Sequence, residues 1–203
     1  MKLKVCGMRS PDNITSLAAL SPDYMGFIFW KSSRRYVSDA TPPLPDTIKK
    51  TGVFVDADLD YVKEIIAQHQ LQAVQLHGEE SPDFCKKIKA LGDLEIIKAF
   101  ALDAQFDFSV LDAYNSACDY FLFDTKGDLP GGNGRRFDWS VLQDYPLTKP
   151  FFLSGGIGPG DQSAIASIIS LNLPLYAIDI NSKFEREPGL KNIERIKEFK
   201  ATL

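Results

Sequence analysis

The sequence predicts an α/β protein built as one (β/α)8 TIM barrel domain over residues 1–203, with a short or irregular second helix. Short apolar runs recur about every twenty to thirty residues, and a helix-like stretch follows each, which is the pattern of repeated βα units and a parallel sheet. Eight such runs can be counted, which suits a closed barrel better than an open sheet. At 203 residues the chain lies near the lower limit of about 200 for this architecture, so its helices and loops must be short.

The runs are 3–6, 25–29, 52–55, 73–76, 95–100, 120–123, 151–153 and 176–180. Tyr120, Phe121, Leu122 and Phe123 show the type: bulky, continuous and short, as expected of a strand buried on both faces. Helix starts are marked by Ser10, Pro11 and Asp12 ahead of Ile14, Leu17 and Ala18, and by Ser81, Pro82 and Asp83 ahead of Phe84, Ile88 and Leu91. Leu59, Val62, Ile65 and Ile66 form a third amphipathic stripe, and Leu190, Ile193, Ile196 and Phe199 a last one. The second repeat is weak, because Thr41, Pro42, Pro43, Leu44 and Pro45 cannot continue a helix interior.

A net charge of −4 and a pI near 5.2 argue against a general nucleic-acid binder, which needs a cationic face. Met1 to Arg9 run straight into an apolar strand without a signal-peptide pattern, and no run is long enough to span a bilayer, so a cytoplasmic protein is expected. Cys6, Cys85 and Cys118 are odd in number and form no CxxC spacing, which argues against a disulfide framework; Cys85 and Cys118 read as packing residues. His69 and His77 are the two histidines, and with no HxH or HExxH spacing no metal site is expected.

In such barrels the active site lies at the C-terminal ends of the strands, so the residues just past each run are the candidates. Asp124 ends the sixth run, followed by a glycine-rich, charged loop whose segment 131–134 reads as a cover over a site; the plain alternative is an Asp that tidies a strand end. Cys6 ends the first run, and there the plain reading is a small buried hydrophobe. A thiolate there could act as a base if a cation such as Arg35 lowered its pKa. Arg34 and Arg35 are by default a solvated charge run, and Arg35 in the sharper reading grips a carboxylate. His77 reads as a hydrogen-bonded supporting residue, and His69 as a surface helix residue.

Ser154, Gly155 and Gly156 lead from the seventh run into a helix, and Asn181 and Ser182 follow the eighth. Loops after these two strands often hold a phosphate, because glycines let the backbone approach an anion and a helix N-terminus offers free N–H groups. Neither a GxGxxG nor a Walker A spacing is met.

Lys4, Val5, Cys6, Gly7; Gly26 to Phe29 with Ser33, Arg34, Arg35, Tyr36; Gly52 to Val55; Val74 to Gly78; Asp124 with Gly131 to Gly134 and Phe137, Asp138, Trp139; and Leu153 to Gly156 together resemble the phosphoribosylanthranilate isomerases over nearly the whole chain. The resemblance implies a cofactor-free Amadori rearrangement of N-(5-phosphoribosyl)anthranilate in tryptophan biosynthesis. It implies that Cys6 is the general base and Asp124 the general acid, that Arg35 faces the anthranilate carboxylate, and that Gly132 and Gly134 add to the phosphate contacts. It also implies a small phosphosugar substrate as the partner, in a monomer or homodimer. Where the family often has two small residues and a glycine after the eighth strand, this chain has Asn181, Ser182, Lys183, Phe184 and Glu185. Three other readings remain at this stage: a metal-dependent epimerase, a decarboxylating cyclase using a strand lysine such as Lys98, and a phosphometabolite-binding protein without turnover.

Overall fold

The computed structural model describes residues 1–125 and 138–203. Eight parallel strands close into a barrel, each paired with its sequence neighbours and the last with the first. They are β1 (Lys2–Val5), β2 (Tyr24–Ile28), β3 (Lys49–Phe54), β4 (Ala73–Leu76), β5 (Glu95–Leu102), β6 (Tyr120–Thr125), β7 (Phe151–Leu153) and β8 (Leu175–Ile180). All eight expected strands are present; β1 and β2 are shifted one residue toward the N-terminus, and β3 and β6 take in polar residues, Lys49 to Thr51 and Asp124 with Thr125, that an apolar run does not reveal.

The outer layer is thinner than a full set of helices. Among the described residues it has α1 (Pro11–Ala18), α2 (Leu59–His69), α3 (Pro82–Lys89), α4 (Gln162–Ser170) and α5 (Ile193–Lys200). After β5 and β6 the layer is made by 3-10 turns, Phe108–Tyr114 and Trp139–Asp144. The second repeat goes further than irregular: residues 29–48, all described, carry no helix, as prolines 42, 43 and 45 forbid. Buried Val37 and Ile48 fill that side instead.

This gap explains one corrected expectation. His69 is not a surface residue but is buried at the end of α2, its ring 4.6 Å from that of Phe29 and its Nδ1 3.1 Å from Thr41 Oγ1. With no second helix beside it, the end of α2 packs directly on the crossing segment. Leu91, expected on the buried stripe of its helix, is by contrast exposed, and Cys85 takes the buried position on α3. Ser81 caps that helix by accepting from Phe84 N–H at 3.2 Å, whereas Ser10 holds the extended cap conformation without a side-chain bond.

Inside the barrel Tyr24, Ala73, Ile97, Ala99, Leu122, Phe152 and Ala177 form one apolar plug. Below it, at the N-terminal mouth, Tyr24 Oη donates to Glu95 at 2.8 Å and Tyr120 stacks on Tyr176. Above it the interior turns polar with Lys4, Gln75, Asp124 and Asp179, all buried. Buried charge is costly unless paired, so a polar layer confined to the C-terminal mouth marks where the fold tolerates that cost. No helix among the described residues is long and apolar enough to cross a membrane.

Candidate active site

Cys6 stands just past β1, its N–H donating to Ile180 O at 2.9 Å, which ties the residue to β8. Leu3 and Val5 face the outer core, so Lys4 and Cys6, two apart, share the inner face. The sulfur lies against Gly26 of β2, where a Cβ would come within 2.8 Å of Sγ; only glycine leaves the thiol its space.

The charges around that sulfur act in opposite directions. Lys4 is fully buried and its Nζ donates to Asp179 Oδ2 at 2.7 Å, its register partner across the β1–β8 pair. Burial pushes the Cys6 thiol above its ordinary value, and the Asp179 charge adds to that push, while the Lys4 and Lys191 charges pull it down. Asp179 itself is pushed up by burial and by the Asp124 charge across the mouth, with Lys4 and His77 opposing. It thus interacts with both Cys6 and Asp124, and its Oδ1 is buried without a hydrogen-bond partner among the described residues.

Asp124 lies in β6 as its penultimate residue, buried at the barrel mouth. Its Oδ1 accepts from Thr125 N–H at 2.7 Å, and its Oδ2 stands 3.3 Å from His77 Nε2. His77 Nδ1 is in turn 2.6 Å from Gln75 Nε2. With the Gln75 amide nitrogen turned to the ring it donates to Nδ1, which leaves Nε2 as the N–H side facing Asp124.

The glycines after β7 serve this carboxyl as well as any anion. Gly155 (φ +90°) and Gly156 (φ +64°) adopt backbone conformations that side chains rarely allow, and a Cβ on Gly155 would lie 2.3 Å from Thr125 Oγ1 and 3.2 Å from Asp124 Oδ1. Gly155→Ala is expected to cost roughly 2–4 kcal/mol, a left-handed backbone penalty plus a forced shift of the β6 end, and to lower kcat with it. Denaturant unfolding and steady-state assays together check this; an alanine variant of native stability removes the argument.

The other candidates fall out unevenly. Ser154 is half-buried at the end of β7, its N–H on Phe123 O at 2.8 Å. Ser182 opens a three-residue 3-10 turn (Ser182–Phe184), and exposed Lys183 lays its stem beside Gly158, joining the loops after β7 and β8. Asn181 is less available than expected, since its Oδ1 accepts from Lys191 Nζ at 2.6 Å. Gly132, Gly134 and the rest of segment 131–134 lie outside the described residues. Arg35 reaches the mouth, its stem crossing Gly7, but its fork is engaged by Glu185. Glu185 and Lys191 were invisible to sequence reasoning, because single charges in a loop carry no sign of what they meet.

Lys98 is accounted for. Its Nζ pairs with Glu80 at 3.1 Å and donates to the carbonyls of Leu76, Gly78 and Ala99, at 3.3, 2.7 and 3.0 Å, while Glu80 accepts from Asp56 and Gly78 N–H groups. A lysine with all its donors used is a strut under the His77 loop and not the lysine of a cyclase. Cys85 and Cys118 are packed in the outer core, and burial raises their thiols to about 11 and about 12.

Comparison with known proteins agrees with this fold. Residues 3–202 match the family described as N-(5'-phosphoribosyl)anthranilate (PRA) isomerase. The chain is similar to the N-(5'-phosphoribosyl)anthranilate isomerase of Parabacteroides distasonis, with 44% identity over 98% of this chain and 91% of that one. Among solved structures it is similar to phosphoribosyl anthranilate isomerase from Thermotoga maritima, with a TM-score of 0.83 at 30% identity over 100% of this chain and 98% of the other. It is also similar to a phosphoribosyl anthranilate isomerase crystallised with reduced 1-(o-carboxyphenylamino)-1-deoxyribulose 5-phosphate, with a TM-score of 0.80 at 28% identity over 98% and 96% of the two chains.

Proposed function

The chain belongs to the phosphoribosylanthranilate isomerase family of tryptophan biosynthesis, and from that premise we propose that Asp124 and Cys6 divide the proton transfers of the rearrangement between them. The substrate is N-(5-phosphoribosyl)anthranilate and the product 1-(2-carboxyphenylamino)-1-deoxyribulose 5-phosphate. The observation that carries this reading is a buried thiol just past β1 and a buried carboxyl at the penultimate position of β6, both at the C-terminal mouth of the barrel beside the polar residues above the plug.

Asp124 gives its proton to the furanose ring oxygen as the C1′–O bond breaks and the nitrogen lone pair forms the C1′=N bond. The Cys6 thiolate removes the proton from C2′, and the C–H electron pair becomes the C1′=C2′ bond, neutralising the iminium nitrogen. The enolamine then takes a proton at C1′ and loses one from the C2′ hydroxyl. One proton given and one taken leave the enzyme balanced. The iminium is the electron sink, so the step needs no further group to hold the charge.

His77 orients Asp124 and, carrying its proton on Nε2, stabilises the carboxylate left after the first transfer. Lys4 does the corresponding work for the thiolate, offsetting the cost that burial imposes on it. Arg35 meets the anthranilate carboxylate, and the phosphate lies against Ser154, Gly155, Gly156 and Ser182, with Lys183 adding charge at the rim.

The direct test is a fluorescence assay on freshly generated phosphoribosylanthranilate, with rescue of a tryptophan auxotroph beside it. Enzyme that neither turns the substrate over nor rescues growth is not the isomerase described. Inorganic phosphate is expected to compete with substrate and to raise the melting temperature, because a ligand at a hundred times its Kd stabilises the native state by about 2.7 kcal/mol. Melting that is indifferent to phosphate counts against the loops after β7 and β8 as its site.

A further inference from the structure

The short ribbon that follows the barrel, β9 (Glu185–Glu187) with β10 (Leu190–Lys191), puts a carboxylate and a lysine beside the site, and neither takes part in the proton transfers. We propose that Glu185 is a positioning residue that determines specificity, holding the Arg35 guanidinium so that one of its edges is presented to the aromatic carboxylate of the substrate. The inference rests on the reading of Arg35 as that carboxylate's partner.

Glu185 takes one edge of the guanidinium. Its Oε1 accepts from Arg35 Nε at 2.9 Å and its Oε2 from Nε at 3.2 Å and Nη2 at 2.6 Å, a side-on fork. A guanidinium has five N–H donors in one plane, so a side-on partner on Nε and Nη2 leaves the end-on Nη1 and Nη2 edge for a second carboxylate. Glu185 cannot swing to follow a ligand, because Oε1 also accepts from Lys191 Nζ at 2.7 Å and from Gly189 N–H at 3.1 Å.

Lys191 is fully buried and anchors the arrangement. Its Nζ also donates to Asn181 Oδ1, and its backbone exchanges two bonds with Asn13 of α1, Lys191 N–H to Oδ1 at 2.7 Å and Nδ2 to Lys191 O at 3.0 Å. A continuous chain of bonds therefore runs from α1 through β10 and Glu185 to Arg35. On its other side the Arg35 stem passes over Gly7, where a Cβ would lie 2.7 Å from Cδ. An arginine ordered before binding does not lose its rotamer freedom on binding, which is how a fixed fork gains selectivity. The charges fit as well: two cations share one carboxylate, leaving one positive charge to meet one negative group. Burial lowers Lys191 to about 8 while Glu185 keeps part of that charge in place.

The test compares phosphoribosylanthranilate with the adduct that aniline forms in place of anthranilate, which lacks only the carboxylate. Wild type, Glu185→Gln, Glu185→Asp and Arg35→Met would be assayed on both, with product measured chromatographically and melting checked. Glu185→Gln is expected to cut the preference for the carboxylated substrate, as the ratio of kcat/KM values, by roughly ten- to a hundredfold, through KM, with the aniline adduct changed by less than about twofold. Glu185→Asp keeps the charge but draws it back by one methylene; it should show a smaller loss, and it decides the matter if the Gln variant does not fold. An unchanged ratio in the folded Glu185 variants, while Arg35→Met still loses it, overturns the role of Glu185 and leaves Arg35 as the carboxylate's partner. An unchanged ratio in Arg35→Met overturns both.

Discussion

Replacing Asp124 with Asn is expected to lower kcat by roughly 10²- to 10⁴-fold with the barrel still folded, the range for loss of a general acid. The substitution is nearly isosteric, and an amide oxygen can still accept the Thr125 N–H that Oδ1 holds at 2.7 Å. What it cannot do is release a proton to the ring oxygen. The amide nitrogen would also face His77 Nε2, which carries its own proton while Gln75 donates to Nδ1, so the 3.3 Å contact becomes a meeting of two donors. Some of the loss therefore appears as reorientation of His77. The check is kcat on fresh substrate beside the melting temperature of the same preparation. A variant that melts like wild type and turns over like wild type takes Asp124 out of the mechanism.

The parts of this protein that were legible in its sequence are those fixed by burial on both faces. Strands in a closed parallel sheet are largely apolar, so Phe121, Leu122 and Phe123 or Phe151, Phe152 and Leu153 announce themselves. Once the strands are found, the architecture picks out their ends, which is why Cys6, His77 and Asp124 could be named together. The outer layer was less legible. Nothing local in α2 says that its neighbour is missing, and that absence is what buries His69 against Phe29. Long-range charge pairing was not legible at all. Lys4 with Asp179, separated by 175 residues, and Arg35 with Glu185, separated by 150, are brought together by barrel closure and by the ribbon after β8. Asn181 shows the same limit, since its place after the eighth strand suits a phosphate but a lysine ten residues on occupies its oxygen.

Cys6→Ala should lower kcat by a similar 10²- to 10⁴-fold, and its pH dependence separates a base from a packing residue. Only the thiolate can take the C2′ proton, and burial holds the thiol above its ordinary value against the pull of Lys4 and Lys191. The sign follows: below the folded pKa the active form is the minor one, so kcat/KM for wild type should climb with pH through neutrality and beyond. Alanine removes both the base and the slope. Alkylation of Cys6 by iodoacetamide should follow the same rise, and substrate or product analogues should slow it, since they cover the sulfur. Stability gives the converse control. Deleting one buried sulfur beside Gly26 removes little volume, so the variant is expected to lose no more than about 1–2 kcal/mol. A wild-type profile that is flat in pH, or an alanine variant that keeps its turnover, leaves Cys6 as the small buried hydrophobe that a strand cysteine usually is.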